Sequence, residues 1–320
     1  MKKDNKFCYI EILRALACML ITNSHFDGVY PIDISFGGAP GNCLFFVLTG
    51  FLLTADYEKK RFVSWYPKRI IRLYVPLTIM NIVNVLVGYR KPSIELFLFP
   101  VSRYWFIPVI VILYAMFFVI MKYFRPYRLY VVLLDLAIYF IVYFVCFDRK
   151  VFFVERHFYF LVMYGIIAMI LGSYIRENLH HITEYSICKS IILLLSSLLC
   201  IIGFLGIKLW ISTESNLALQ LQFLTQLFSL GFCTFILLGT SSHENVCRKV
   251  LESVPVGSVI QNIGGATLEI YLVQYVIINS FKERLIFPLN LVIICVLIYC
   301  GGIILKFVSS ALVSKVQEKL

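Results

Sequence analysis

Long apolar runs broken by short polar stretches dominate the chain. They fall at roughly 7–26, 41–57, 70–89, 104–122, 128–147, 157–176, 190–209, 217–240, 260–280 and 286–308. A helix crosses a bilayer with about 20 apolar residues, because in lipid the backbone must satisfy its own hydrogen bonds. The pattern therefore predicts an all-α, polytopic transmembrane bundle of about ten helices, a single domain over residues 1–320. The run 41–57 is the weakest of the ten, being short and carrying Gly41 and Gly50. No internal repeat or low-complexity tract interrupts the pattern.

The first run, Phe7 to Phe26, carries Arg14 and, eleven residues on, His25. At about 100° per residue the two stand about 20° apart on one helical stripe, about 16 Å along the axis. A cation and a titratable base on one line inside lipid point to function. The plainer alternative is an arginine that snorkels and a histidine at the interface. Met1 to Lys6 resembles the charged start of a signal peptide, yet no small-residue cleavage site follows, so the run is expected to stay as the first span.

Composition agrees with a membrane protein. Of 320 residues, 60% are hydrophobic and 15% charged, with mean hydropathy +0.87; a soluble domain is nearer half apolar and a quarter charged. The net charge of +11 fits basic cytoplasmic loops rather than a nucleic-acid partner. With the N-terminus inside, Lys and Arg favour the inner segments by roughly two to one, which predicts both termini in the cytoplasm. The ten cysteines make no CxxC, so neither a disulfide framework nor a metal site is expected.

Five further stretches carry candidate chemistry. Residues 27–40 lack Lys and Arg, and Gly37, Gly38, Pro40 and Gly41 suit either close backbone approach or, preferably, an ordinary turn. Gly50, inside Leu44 to Leu53, suits tight helix packing. In Ser64 to Pro76, Lys68, Arg69 and Arg72 are either membrane anchors or a phosphate clamp, with Trp65 and Tyr66 interfacial. Arg103 to Pro108, with Tyr104, Trp105 and Phe106, resembles an aromatic anchor belt. Glu269, in Gly264 to Gln274, reaches a depth similar to Arg14 and is expected to neutralise it, unless a proton does so. Elsewhere Asp135 is expected against a partner or lining the bundle, Gln220, Gln222 and Gln226 in interhelical hydrogen bonds, and His157, His180, His181 and His243 in water.

Arg14 with ten residues before His25, FFVLTGFLL, the Tyr66–Pro76 arginine segment, the Tyr104-Trp105-Phe106 turn and the Thr267–Leu272 stretch occur in that order. Together they resemble the membrane-bound acyltransferase 3 family, which acylates surface polysaccharides, lipopolysaccharide and peptidoglycan in bacteria. The resemblance spans nearly the whole chain. It implies about ten spans and an acyl-CoA donor used from the cytoplasm. It also implies Arg14 and His25 as the essential pair and donor contacts from Arg69 and Arg72. Gln274 stands where family members often have His; glutamine can hydrogen-bond but cannot act as a base. With no hydrolase-like domain after the bundle, the membrane part is expected to finish the transfer or pass the acyl group on.

The expected chemistry is transfer of an acyl group, acetyl as the leading choice, from acyl-CoA to a sugar hydroxyl of a surface polysaccharide or lipid-linked glycan. His25 would be the base, Arg14 would lie beside the donor arm, and Lys68, Arg69 and Arg72 would hold the donor phosphates. Glu269, Gln274 and Trp105 would support them. No metal is expected, acyl-CoA enters as co-substrate, and the plasma (inner) membrane is the location, with a homo-oligomer possible. A covalent acyl-enzyme on Thr49 or Cys43 is the mechanistic variant. The rivals are a transporter or flippase for a lipid-linked sugar and an inactive acyltransferase-like scaffold.

Overall fold

The computed structural model describes residues 7–32, 34–55, 60–93, 104–183, 185–284 and 286–318. The apolar runs fold as helices, 79% of the structure, with no strand among the described residues. In chain order these are α1 (Cys8–Asn23), α2 (Gly38–Leu53), α3 (Phe62–Leu86), α4 (Phe106–Tyr123) and α5 (Arg128–Ile141), the last continued by a π-helical turn. Next come α6 (Phe158–Glu177), α7 (Leu179–Thr183), α8 (Ile187–Ile211), α9 (Asn216–Gln220) and α10 (Leu224–Ser241). The chain closes with α11 (Glu244–Glu252), α12 (Val256–Gly265), α13 (Thr267–Phe281) and α14 (Leu289–Gln317).

Each of the ten expected runs contains a helix, but seven are long and apolar enough to cross a membrane by themselves. The other three are α1 and α2, of 16 residues, and α13, of 15. At about 1.5 Å per residue they reach roughly 24 Å, short of a hydrocarbon core about 30 Å thick. Such helices are tolerated where longer neighbours enclose their ends. These three carry Arg14, His25, Glu269 and Gln274 on or beside them. By contrast α5 and α8 are long, apolar and bury little of their surface.

Two expected spans are broken. The eighth splits into α9 and α10 around residues 221–223, and the ninth into α12 and α13 at Ala266. Gln222 and Gln226 explain the first break. Gln222 Oε1 accepts from the backbone N–H groups of Phe153 (2.8 Å) and Val154 (3.2 Å). Gln226 Oε1 accepts from the Tyr139 hydroxyl and its amide donates to the Val154 carbonyl. These buried amides tie the turn before α6 to α10, as expected of polar groups in a membrane bundle. Gln220 is exposed.

Backbone contact at glycine holds the centre together. A Cβ on Gly50 would overlap the Met169 carbonyl, and one on Gly172 the Val47 carbonyl. Thus α2 and α6 cross with their backbones touching, and Gly50 serves packing as expected. The loop before α2 does more than turn. Gly37, Gly38 and Gly41 lie against Leu20, Ser24, Ala17 and Ile21 of the α1 segment, and Gly37 has φ +105°. This is the close backbone approach that sequence ranked second to an ordinary turn.

Among the described residues every cysteine is free. His157 is not in water as expected: its ring packs edge-on against Phe147 at 4.4 Å. Asp135 is partly buried on α5, with Oδ2 shielded and without a hydrogen-bond partner. Arg103 lies outside the described residues.

Candidate active site

The site is built along α1. Its first N–H groups are held by a distant carboxylate: Cys8 N donates to both Glu244 oxygens at 3.0 Å. A helix N-terminus favours negative charge there. One turn further in, Arg14 pairs with Glu11 at 3.5 Å. This corrects the expected Arg14–Glu269 pairing. Glu269 accepts a hydrogen bond from Ser309 Oγ at 3.5 Å and feels the charges of Lys306 and Arg14 without contacting Arg14 as an ion pair. The break at Ala266 is the reason. It puts Glu269 in the first turn of α13, while Gly264 lets α12 pass directly against Glu11.

The charges of Arg69, Arg72 and Arg14 all reach Tyr114, on α4. The Arg69 guanidinium lies 5.6 Å from the centre of the Trp65 ring, and Trp65 packs edge-on to Tyr114. Trp65 is buried rather than interfacial, and its indole N–H has no partner. Lys68 stays exposed, its backbone carbonyl accepting from Gln317 of α14. Of the sequence-predicted cations, Arg69 is thus held against Trp65, while Lys68 is exposed. Tyr114, an aromatic inside an apolar run, gave no sequence signal.

A narrow cavity of about 20 Å³ lies beside α1. Its walls are Cys18, Ile21 and Thr22 of α1, Asn42 and Phe45 of α2, Phe106 of α4, and Thr267, Leu268, Tyr271 and Gln274 of α13. Gln274 is fully buried, and both of its amide atoms lack hydrogen-bond partners. An unmade buried hydrogen bond costs about 1–3 kcal/mol, so an orphaned amide facing a cavity is a candidate ligand contact. Ile21, Asn42 and Tyr271 are shared with a second, wider cavity of about 820 Å³, lined also by His25 and Trp105.

His25 sits just past the end of α1. Its Nε2 lies 3.3 Å from the Tyr275 hydroxyl, and the two rings are 4.7 Å apart. With Nε2–H donating to the phenol oxygen, Nδ1 keeps a lone pair for a substrate proton. No ion pair involves His25 among the described residues. The Tyr104-Trp105-Phe106 turn is not an anchor belt. Tyr104 is buried and donates to the Leu272 carbonyl at 3.1 Å, while Trp105 lines the wide cavity. Helix α13 therefore stands between this turn and α1. Cys43 and Thr49 are buried on α2 and line neither cavity, so nothing marks them as acyl carriers.

Arg14 and His25 thus lie on or just past α1, and the cavity lined by the orphaned Gln274 amide lies beside that helix. A family profile described as an acyltransferase domain matches residues 8–310. The chain belongs to the acyltransferase 3 family. No curated protein and no solved structure matches it closely enough to be set beside it. In this acyltransferase the profile covers Arg14, Lys68, Arg69 and Arg72, both cavities and the His25–Tyr275 contact. Tyr275 was not read from the sequence, although it directly follows Gln274. Tyr275→Phe removes one hydrogen bond and keeps the ring, so kcat for acyl transfer is expected to fall about 3- to 10-fold. The KM for the donor should stay unchanged and the acidic limb of the pH profile should shift. Steady-state kinetics across pH check it.

Proposed function

We propose that this acyltransferase moves an acyl group, acetyl in the leading case, from cytoplasmic acyl-CoA to a sugar hydroxyl of a surface polysaccharide or lipid-linked glycan. The observation that supports the reading is a pair of cavities along α1 that share Ile21, Asn42 and Tyr271, one lined by the orphaned Gln274 amide and the other by His25. Two substrates that never share a compartment need a path of this kind.

In this reading Arg69 and Arg72 hold the donor's phosphates, with Lys68 at the edge, because guanidinium forks match phosphate oxygens. Arg14 lines the path of the arm. The narrow cavity has room for about one water, so Phe45 and Leu268 must turn aside as the arm enters. Gln274 then supplies the missing partner for an amide or carbonyl of that arm. His25 takes the proton of the sugar hydroxyl as its oxygen attacks the thioester carbonyl. The carbon–sulfur bond breaks, and the sulfur leaves as the thiol after regaining a proton. Asn42 and Tyr271, common to both cavities, flank the point where the two substrates meet. We place the protein in the plasma membrane with both termini cytoplasmic.

The test is release of CoA from acetyl-CoA by purified protein, together with mass spectrometry of surface glycans from cells with and without the gene. Glycan flux without acyl-CoA consumption would instead indicate a transporter. Replacing Arg69 or Arg72 by Gln is expected to raise the KM for acyl-CoA about 10-fold each, since hydrogen bonds to charged groups contribute about 1.5–3 kcal/mol. The effect should shrink as salt rises. Unaltered donor affinity in both variants would remove the clamp from this mechanism.

A further inference from the structure

The wide cavity that His25 lines also carries a group of charges from elsewhere in the bundle. Lys208 of α8 donates to Glu155 Oε2 at 3.0 Å, and its ammonium lies 4.3 Å from the centre of the Phe152 ring. The other carboxylate oxygen, Glu155 Oε1, is buried and has no hydrogen-bond partner. Both residues line the cavity, with Asp27, Arg156 and Trp105. Its wall thus bears two carboxylates and two fixed cations, and one acceptor atom without a donor.

We propose that the Glu155–Lys208 pair is the acceptor subsite and that it takes an uncharged, hydroxyl-rich sugar residue. The proposal rests on the acyl-transfer reading above and names the substrate class within it. A sugar hydroxyl can donate to Glu155 Oε1 without disturbing the ion pair. A neighbouring sugar oxygen can accept one of the two ammonium hydrogens that Lys208 does not give to Glu155. Trp105 offers an apolar surface to the C–H face of the ring. An anionic sugar fits worse. It must compete with Glu155 for Lys208 and approach a buried carboxylate of like charge, which is costly. Charge balance across the cavity gives no compensating field.

The ordinary role for such a pair is to fasten the turn before α6 to α8. A charge swap separates the two roles. Glu155→Gln, Lys208→Met and the double swap Glu155→Lys with Lys208→Glu are expressed in cells lacking the gene, at equal membrane levels. Acylated glycans are analysed by mass spectrometry, and CoA release without glycan is measured on the purified proteins. Both single variants should lose at least 10-fold in glycan acylation with CoA release unchanged, and the swap should not restore acylation. The acylated unit should be a neutral sugar. Wild-type acylation in the single variants, full rescue by the swap, or an acyl group on a uronate or phosphorylated unit would each overturn the proposal. If the wild-type protein neither releases CoA nor acylates glycans, it is the acyl-transfer reading that fails.

Discussion

His25→Ala is expected to lower acyl transfer about 10²- to 10⁴-fold, the usual contribution of a positioned general base, while the protein still inserts and folds. A sugar hydroxyl is a weak nucleophile near neutral pH, and imidazole is the side chain suited to taking its proton there. His25 lies past the last residue of α1 and is only partly buried, and its ring and hydrogen bond meet Tyr275 at one edge of α13. Loss of the ring therefore leaves the bundle intact. His25→Gln sharpens the test, because glutamine still hydrogen-bonds but takes up no proton at neutral pH. Both variants should transfer the acyl group to glycan, with release of CoA, at the same low residual rate. Asp27, on the same cavity wall two residues on, can leave a small remainder. Undiminished glycan acylation in His25→Ala would remove the base from the mechanism, and wild-type rates in His25→Gln alone would reduce the imidazole to a positioning group.

What sequence could deliver here depended on whether a property was local. The Arg14–His25 stripe follows from helical arithmetic on one segment; the structure puts Arg14 on α1 and His25 just past its end, and of the two His25 lines a cavity. The cations of α3 were legible as a cluster because Lys68, Arg69 and Arg72 fall within five residues. The stacking of Arg69 on Trp65 beside Tyr114 was not, because it needs α3 and α4 to meet. The Glu269 pairing failed for a specific reason. Depth was counted along an unbroken ninth span, but the chain breaks at Ala266, and Glu11, one turn from Arg14 on the same helix, is the nearer carboxylate. A partner already held at i, i+3 loses less conformational freedom than one brought from another helix. The aromatic turn at Tyr104 misled because a belt and a buried bracket have the same composition. Only the Leu272 carbonyl and the cavity beside Trp105 tell them apart. Glu155 and Lys208 are 53 positions apart, and nothing in either segment announces the other.

The largest structural effect is expected at the α2–α6 crossing, and it bears on the site. In most helix interiors Gly→Ala stabilises by up to about 1 kcal/mol through propensity. At Gly50 and Gly172 the sign should reverse, because each new methyl would occupy the space of a backbone carbonyl on the facing helix. Overpacking of this kind costs about 1–3 kcal/mol and more when backbone must move. Gly206, on α8, supplies the control: a methyl there meets nothing within 4 Å. Thermal unfolding in detergent should therefore show Gly50→Ala and Gly172→Ala melting several degrees below wild type, with Gly206→Ala unchanged or higher. Because α2 also carries Gly41 and Asn42 against α1, forcing it away from α6 should open the narrow cavity wall. The melting loss should then come with reduced acyl transfer in protein that remains folded. Equal melting of Gly50→Ala and Gly206→Ala would mean that the two helices do not touch through their backbones. The alignment of Asn42 with His25 would then need another support.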